Sequence, residues 1–108
     1  MAATLQDFKA ELFRTLANPV RIRILEVLRL TDGLTVGEIQ QRVGVEPSNV
    51  SQHLSILRGH GLVTTRREGT SIRYSVAAPD VYELLDVARG IFEKQLDEQA
   101  RMLEAAGE

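Results

Sequence analysis

Two short helical patterns separated by one tight turn constrain this chain more than any other feature. Thr35 and Glu38 have the spacing of a capping box, which predicts the start of a helix. Gly44 is typical of the left-handed residue that ends a helix, and Pro47 suits the first turn of the next one. The two patterns therefore predict a helix-turn-helix over about residues 36–60.

The second helix of this pair has one apolar face and one polar face. Val50, Leu54 and Leu57 fall on the same side at helical spacing, which predicts that they pack into the core. Short polar side chains cover the other side, and they are poor helix formers that can hydrogen-bond to base edges in the major groove of DNA. The predicted DNA-reading side chains are Ser48, Asn49, Ser51, Gln52, His53 and Ser55.

After residue 61 the apolar residues change from helical to alternating spacing. This change predicts a β-hairpin over about residues 62–76. Between residues 48 and 74 four arginines stand against one acidic residue, which predicts a basic surface that attracts phosphate. We expect these arginines to contact phosphates or the minor groove; they are Arg58 on the helix and Arg66, Arg67 and Arg73 on the hairpin.

Together these patterns predict a fold that is mainly α with a small β-hairpin, a winged helix-turn-helix. Asn18 and Pro19 predict the start of an additional helix, whose dense apolar residues indicate a central position in the core. The chain has 108 residues, which predicts a single domain.

The first and last helical patterns, about residues 4–16 and 80–104, are both amphipathic. The last one is about 37 Å long at ~1.5 Å per residue, so its apolar stripe is longer than a domain of this size can cover. We therefore expect a two-fold interface between two copies of the chain. The expected interface residues are Leu5, Phe8, Leu12, Leu84, Ala88, Ile91, Phe92 and Leu96.

Two stretches of the sequence resemble the ArsR (arsenic repressor) family of bacterial transcription factors. Residues 13–25 read FRTLANPVRIRIL, which is similar to the family's F-x-x-L-A-[ND]-P-x-R-x-x-I-L run. Residues 48–58 read SNVSQHLSILR, which is similar to the family's recognition helix, S-x-V-S-x-H-L-x-x-L. The resemblance includes the predicted hairpin, which is the wing of this fold, and covers about residues 8–92. It implies a homodimer formed by the first and last helices, and a repressor that a bound signal releases from DNA.

The sequence departs from the family where many of its members bind metal. It has no cysteine, and Thr35 and Gly37 stand where those members carry a Cys-x-Cys pair. Other members carry an Asp-x-His pair, but here Tyr82 stands in the histidine position, and no histidine follows His60. We therefore predict no metal site and no cofactor, and we interpret the acidic residues of the last helix as a solvated face.

The composition fits a DNA-binding protein in the cytoplasm. No apolar run is long enough for a membrane helix, and the N-terminus lacks the pattern of a secretory signal. The net charge of −2 combines an excess of three basic residues over residues 1–79 with an excess of five acidic residues over residues 80–108. A basic surface can therefore exist on an acidic chain.

The predicted function is sequence-specific regulation of transcription, as a repressor that binds an inverted-repeat operator as a homodimer. The predicted partners are double-stranded DNA and a second copy of the chain; an inducer, whether a small molecule or a protein, is left open. The alternative is a winged-helix module for protein interaction. An enzyme is not predicted, because Ser51 and Ser55 lie two residues from His53 and do not face it on a helix.

Overall fold

The computed structural model describes residues 4–44 and 50–107, and this part of the chain contains five α-helices and one antiparallel hairpin. The elements in chain order are α1 (Leu5–Leu16), α2 (Pro19–Leu30), α3 (Val36–Val43), α4 (Val50–Gly59), β1 (Val63–Glu68), β2 (Ser71–Val76) and α5 (Val81–Ala106). The predicted fold class, mainly α with a small hairpin, is confirmed. Residues up to Ala78 form one compact unit and residues from Pro79 another. That the two fold as one domain stays a prediction.

Side-chain caps fix the starts of the first three helices. The Oδ1 atom of Asn18 accepts hydrogen bonds from the N–H groups of Val20 and Arg21, and Pro19 occupies the first turn of α2. Thr35 and Glu38 form the predicted capping box of α3. These bonds satisfy N–H groups that have no partner within the helix. The caps predicted at Asn18 and Thr35 are confirmed.

Helix α2 lies at the centre of the N-terminal unit. Its Ile24 and Leu25 side chains are completely buried, and α2 contacts α1, α3, α4 and β2. Completely buried residues of α3 and α4, such as Ile39 and Leu54, complete the core. The central position predicted from the dense apolar residues of α2 is therefore confirmed.

Helices α3 and α4 form the helix-turn-helix. Gly44 ends α3 with a φ of 81°, in the left-handed region that glycine adopts without a Cβ clash. Val50 and Leu57 of α4 are buried, as predicted. The predicted helix position of Pro47 and the two polar residues Ser48 and Asn49 lie outside the described residues.

The hairpin is closed by a turn at Gly69, which has a φ of 62°. Val63 pairs with Val76 and Arg66 pairs with Arg73 in an antiparallel register. Leu34 adds a bridge to the other edge of β2, through backbone hydrogen bonds in both directions with Tyr74. The wing therefore has an additional backbone connection to the segment that precedes α3.

Helix α5 belongs to the C-terminal unit and extends from Val81 to Ala106, slightly beyond the predicted range of 80–104. Val81 and Tyr82 are buried, and most of the helix after them is exposed. Across residues 4–44 and 50–107 no helix is both long and apolar enough to cross a membrane.

Candidate nucleic-acid interface

Helix α4 presents a polar face to solvent. Ser51, Gln52, Ser55 and Arg58 are exposed, and His53 is half-buried. The apolar residues of the helix are buried on the other side, so the core fixes which residues face outward. The exposed set contains hydroxyl, amide and guanidinium groups, which can donate or accept hydrogen bonds at a base edge or a phosphate. Of the predicted reading residues, only Ser48 and Asn49 are outside the part of the chain that is described.

His53 is linked to α2 by a hydrogen bond from Arg21. Nη1 of Arg21 lies 3.5 Å from Nδ1 of His53, and Nε of Arg21 donates to the carbonyl oxygen of Thr15 at 2.6 Å. Burial lowers the pKa of His53, and the charge of Arg21 lowers it further. The imidazole is therefore stabilised in its neutral form. Sequence patterns could not predict this contact, because 32 residues separate the two side chains.

The hairpin carries two exposed arginines near its tip. Nη2 of Arg66 forms an exposed ion pair with Oε2 of Glu68 at 3.1 Å. The Arg67 guanidinium has no hydrogen-bond or ion-pair partner among residues 4–44 and 50–107. Exposed ion pairs contribute little to stability, so a phosphate can replace Glu68 as the partner of Arg66. Both guanidinium groups are therefore accessible to a phosphate.

Arg73 differs from these two because it is held within the protein. Its Nη1 donates to the carbonyl oxygen of Gly33 at 2.9 Å and lies 3.4 Å from Oε1 of Glu38. Nε of Arg73 lies 3.5 Å from Oε1 of Glu68. The side chain is about two-thirds buried, with 30% of its area exposed. The phosphate contact expected for Arg73 stays a prediction, but in this structure the side chain makes contacts that join β2 to the start of α3.

Glu38 is the common partner of the cap and of Arg73. Its Oε1 atom accepts from the N–H of Thr35 at 3.0 Å and lies close to Arg73. Hydrogen bonds from the backbone and hydroxyl of Thr35 lower the pKa of Glu38, and the charges of Arg73 and Arg42 lower it further. The carboxylate therefore remains ionised at neutral pH and holds both the helix start and the wing arginine.

Both terminal helices expose large apolar side chains. On α1, Leu5 and Phe8 are 61% and 63% exposed, and Leu12 is half-buried. On α5 the exposed apolar residues include Leu84, Val87, Ala88, Ile91, Phe92, Leu96, Met102 and Leu103. All eight predicted interface residues are thus at least partly accessible in the single chain. Exposed apolar area of this extent is typical of an interaction surface.

No metal centre is identified in the described part of the chain. No group of three or more His, Cys, Asp or Glu side chains there has an arrangement that could hold a metal ion. Nε2 of His60, one of the two histidines, lies 3.8 Å from Oε1 of Glu11 on α1.

A pair of helices joined by a turn, with a polar outer face on the second helix and a basic antiparallel hairpin after it, defines the class of winged helix-turn-helix proteins. Comparison of the sequence and the structure with known proteins leads to the same class. A family of helix-turn-helix domains matches residues 16–66. The uncharacterized HTH-type transcriptional regulator Rv0081 of Mycobacterium tuberculosis is 50% identical over 101 residues, which is 93% of this chain and 88% of the relative. Its crystal structure superimposes with a TM-score of 0.77 at 48% identity, covering 92% of this chain and 99% of that chain.

Two other relatives extend the comparison. The homodimeric winged helix-turn-helix DNA-binding domain of Mb0332 from Mycobacterium bovis, a possible ArsR-family transcriptional regulator, has a TM-score of 0.71 at 31% identity, covering 89% of this chain and 94% of that chain. The "Probable mercury resistance operon repressor" of Streptomyces lividans is 40% identical over 83 residues, 77% of this chain and 66% of the relative. This chain belongs to the ArsR family of winged helix-turn-helix transcriptional regulators.

Proposed function

We propose that this chain is a sequence-specific transcriptional repressor that acts in the cytoplasm and binds an inverted-repeat operator as a homodimer. The observation that carries the proposal is the exposed polar face of α4 next to a hairpin with accessible arginines. The helix has the length and the side chains to read a major groove, and the hairpin supplies positive charge beside it. A relative that is named as an operon repressor supports the direction of regulation.

The two parts of this surface have different roles in DNA binding. The face of α4, with Ser48 and Asn49 at its predicted start, reads base edges, and Gln52 is the best candidate for a bidentate contact with adenine. Arg66 and Arg67 contact phosphates, which positions the protein but carries no sequence information. Arg58, at the exposed end of α4, adds a further phosphate contact. The binding energy then comes mainly from the arginines and the specificity mainly from α4.

For Arg73 the contacts inside the protein favour a role other than phosphate contact. Its guanidinium already donates to Gly33 and lies beside Glu38, so a phosphate would have to displace those partners. We propose that Arg73 holds the hairpin at a fixed angle to the helix-turn-helix. Its effect on DNA binding is then exerted through the position of Arg66 and Arg67.

The exposed apolar residues of α1 and α5 support assembly into a dimer. Phe8 on α1 and Phe92 on α5 are each about 60% exposed, so both present large apolar surfaces to water in the single chain. We propose that they bury this surface against a second copy. A two-fold dimer presents two α4 helices in opposite orientations, which is why the operator is expected to be an inverted repeat.

Regulation of the proposed repressor does not use a cysteine or histidine metal site. The chain has no cysteine, and neither of its two histidines lies in α5. The signal is then a small molecule or a partner protein, or the repressor responds only to its own abundance. The absence of thiols also excludes regulation through thiol oxidation.

A fluorescence-anisotropy titration with promoter DNA from the source genome tests the proposal. We expect affinity that differs between promoters and falls as salt is added, because bound arginines release counterions from the phosphates. Binding of equal strength to every DNA would contradict sequence-specific regulation and favour the alternative of a protein-interaction module.

A further inference from the structure

We propose that Arg21 is a positioning residue for the DNA-reading helix, because it holds His53 in the tautomer whose proton is on Nε2. In this tautomer His53 offers an N–H donor to hydrogen-bond acceptors on DNA, such as N7 or O6 of guanine or O4 of thymine. The inference rests on the proposed function for its DNA contact. The tautomer itself can be measured without DNA.

The position of Arg21 is fixed at two points. Its backbone N–H donates to Oδ1 of Asn18 at 3.2 Å, which is part of the α2 cap. Its Nε donates to the carbonyl oxygen of Thr15 at 2.6 Å. That carbonyl is in the last turn of α1, where carbonyl groups lack a partner within the helix. Arg21 therefore satisfies the end of α1 and keeps its guanidinium in one place.

The chemistry of the two groups then determines the tautomer. A guanidinium has only donor N–H groups, and one of them lies 3.5 Å from Nδ1 of His53. Nδ1 must be the acceptor, so the proton of the neutral ring is on Nε2. Burial and the charge of Arg21 lower the pKa of His53, which is consistent with a neutral ring. A protonated ring would have no acceptor for Arg21.

The consequence for DNA recognition concerns the other nitrogen of the ring. Nε2 is directed away from Nδ1, and therefore away from Arg21. His53 lies on α4 between Gln52 and Leu54, at the border of the exposed and buried faces. The Nδ1 edge of the ring is thus held by Arg21 of α2. The Nε2 edge is left for DNA that binds at the α4 surface. The contact links the end of α1 to the reading helix through one arginine.

NMR of the free protein tests the tautomer. The chain has only two histidines, so a His60→Gln variant assigns the signals of His53 in long-range proton–nitrogen spectra. We expect Nδ1 without a proton and Nε2 with one near neutral pH. In Arg21→Met, which keeps an aliphatic side chain but no donor, the nitrogen shifts of His53 should move toward a mixture of tautomers. Arg23→Met is the matched control, since Arg23 is exposed on the same helix, and it should leave the His53 shifts unchanged.

Two outcomes would overturn the positioning role. One is a wild-type His53 that carries its proton on Nδ1. The other is a folded Arg21→Met variant whose His53 nitrogen shifts equal those of the wild type. If the loss of the bond to Thr15 prevents Arg21→Met from folding, as it can in a marginally stable domain, Arg21→Lys replaces it. A lysine carries all its donors on a single nitrogen, which cannot reach both Thr15 and His53 as the separate nitrogens of Arg21 do, so the same shift toward mixed tautomers is expected.

Binding to an operator and to its single-base variants tests the contact with DNA. Glutamine can place an N–H near the position of Nε2, whereas the shorter asparagine cannot reach it. We therefore expect His53→Gln to keep the preference at one base pair per half-site, and His53→Asn to reduce it about three- to tenfold, the range of one hydrogen bond. Equal preferences for wild type and His53→Asn would overturn the donor role. A protein that binds no operator at all would refute the proposed function, while the NMR result would still report on Arg21.

Discussion

On the hairpin, arginine side chains of the same type differ in what they contact. Arg67 is exposed and has no partner among residues 4–44 and 50–107, whereas Arg73 is two-thirds buried and bonded to Gly33. The sequence predicts a basic hairpin because the residue types and their alternation are local. It does not distinguish the two roles, because Gly33 and Glu38, the partners of Arg73 outside the hairpin, lie 40 and 35 residues away along the chain.

This difference predicts two distinct responses to salt. Arg67→Ala should weaken binding to all DNA sequences to a similar degree, and it should lower the slope of log affinity against log salt by about one unit. Arg73→Ala should weaken binding with a nearly unchanged slope, because it moves the wing without removing a phosphate contact. Titrations at several salt concentrations measure both slopes. A slope lowered equally by both variants would show that Arg73 contacts phosphate.

At α4 the proposed base reading by Gln52 gives a specific prediction. Gln52→Ala should reduce the preference for one base pair per half-site by ~1–3 kcal/mol, because the loss of a bidentate contact affects only the base it reads. Competition binding with an operator and its single-base variants measures this preference. Gln99→Ala, an exposed glutamine on α5, is the matched control. Unchanged base preferences in Gln52→Ala would mean that this side chain only solvates the helix.

Among the helices and strands, local signals predicted where helices begin and end. Asn18, Thr35 and Gly44 each act within a few residues of their own position, so a sequence pattern is sufficient to identify them. The capping box of Thr4 and Asp7 at the start of α1 has the same local character, although the pattern of apolar residues alone does not indicate it. The bridge between Leu34 and Tyr74 could not be predicted, because it depends on how the wing packs against a distant segment.

The capping box of α3 predicts a pH-dependent contribution to stability. Thr35→Ala should lower the free energy of unfolding by about 1 kcal/mol at neutral pH. Hydrogen bonds from Thr35 lower the pKa of Glu38. The ionised Glu38 therefore contributes fully to the free energy of unfolding at pH values above its pKa in the unfolded state. This contribution is lost as the pH falls through its lower pKa in the folded state. The difference between variant and wild type should decrease in acid, which urea unfolding at several pH values would measure. A difference that is constant down to strong acid would contradict the role of Glu38.

For the molecule as a whole, the proposed DNA binding depends on assembly. The structure describes one chain, in which α1 and α5 each expose apolar side chains that a soluble monomer rarely leaves uncovered. The sequence predicts the apolar stripe of α5, since helical spacing is a local property. The geometry of the dimer cannot be obtained in this way, because it depends on the fit of two surfaces.

A charge placed in the proposed interface should therefore separate the two copies. Ile91→Glu puts a carboxylate where an exposed apolar side chain is expected to be buried, so sedimentation equilibrium at micromolar concentration should give a monomer, compared with a dimer for the wild type. Arg101→Glu also introduces a carboxylate at an exposed position of α5, but nine residues after Phe92 and therefore on the side of the helix opposite to it, so this variant should remain dimeric. A wild-type chain that sediments as a monomer would contradict the proposed assembly.

Selection of bound sequences from a random DNA pool is the most decisive experiment, because it requires recognition and two-fold assembly together. We expect enrichment of one inverted repeat, whose half-site centres lie about 10 base pairs apart or a multiple of that distance. Gln52→Ala should enrich the same repeat with one relaxed position in each half. A pool that remains random after several rounds, or that converges on an unpaired half-site, would contradict sequence-specific binding by a two-fold dimer.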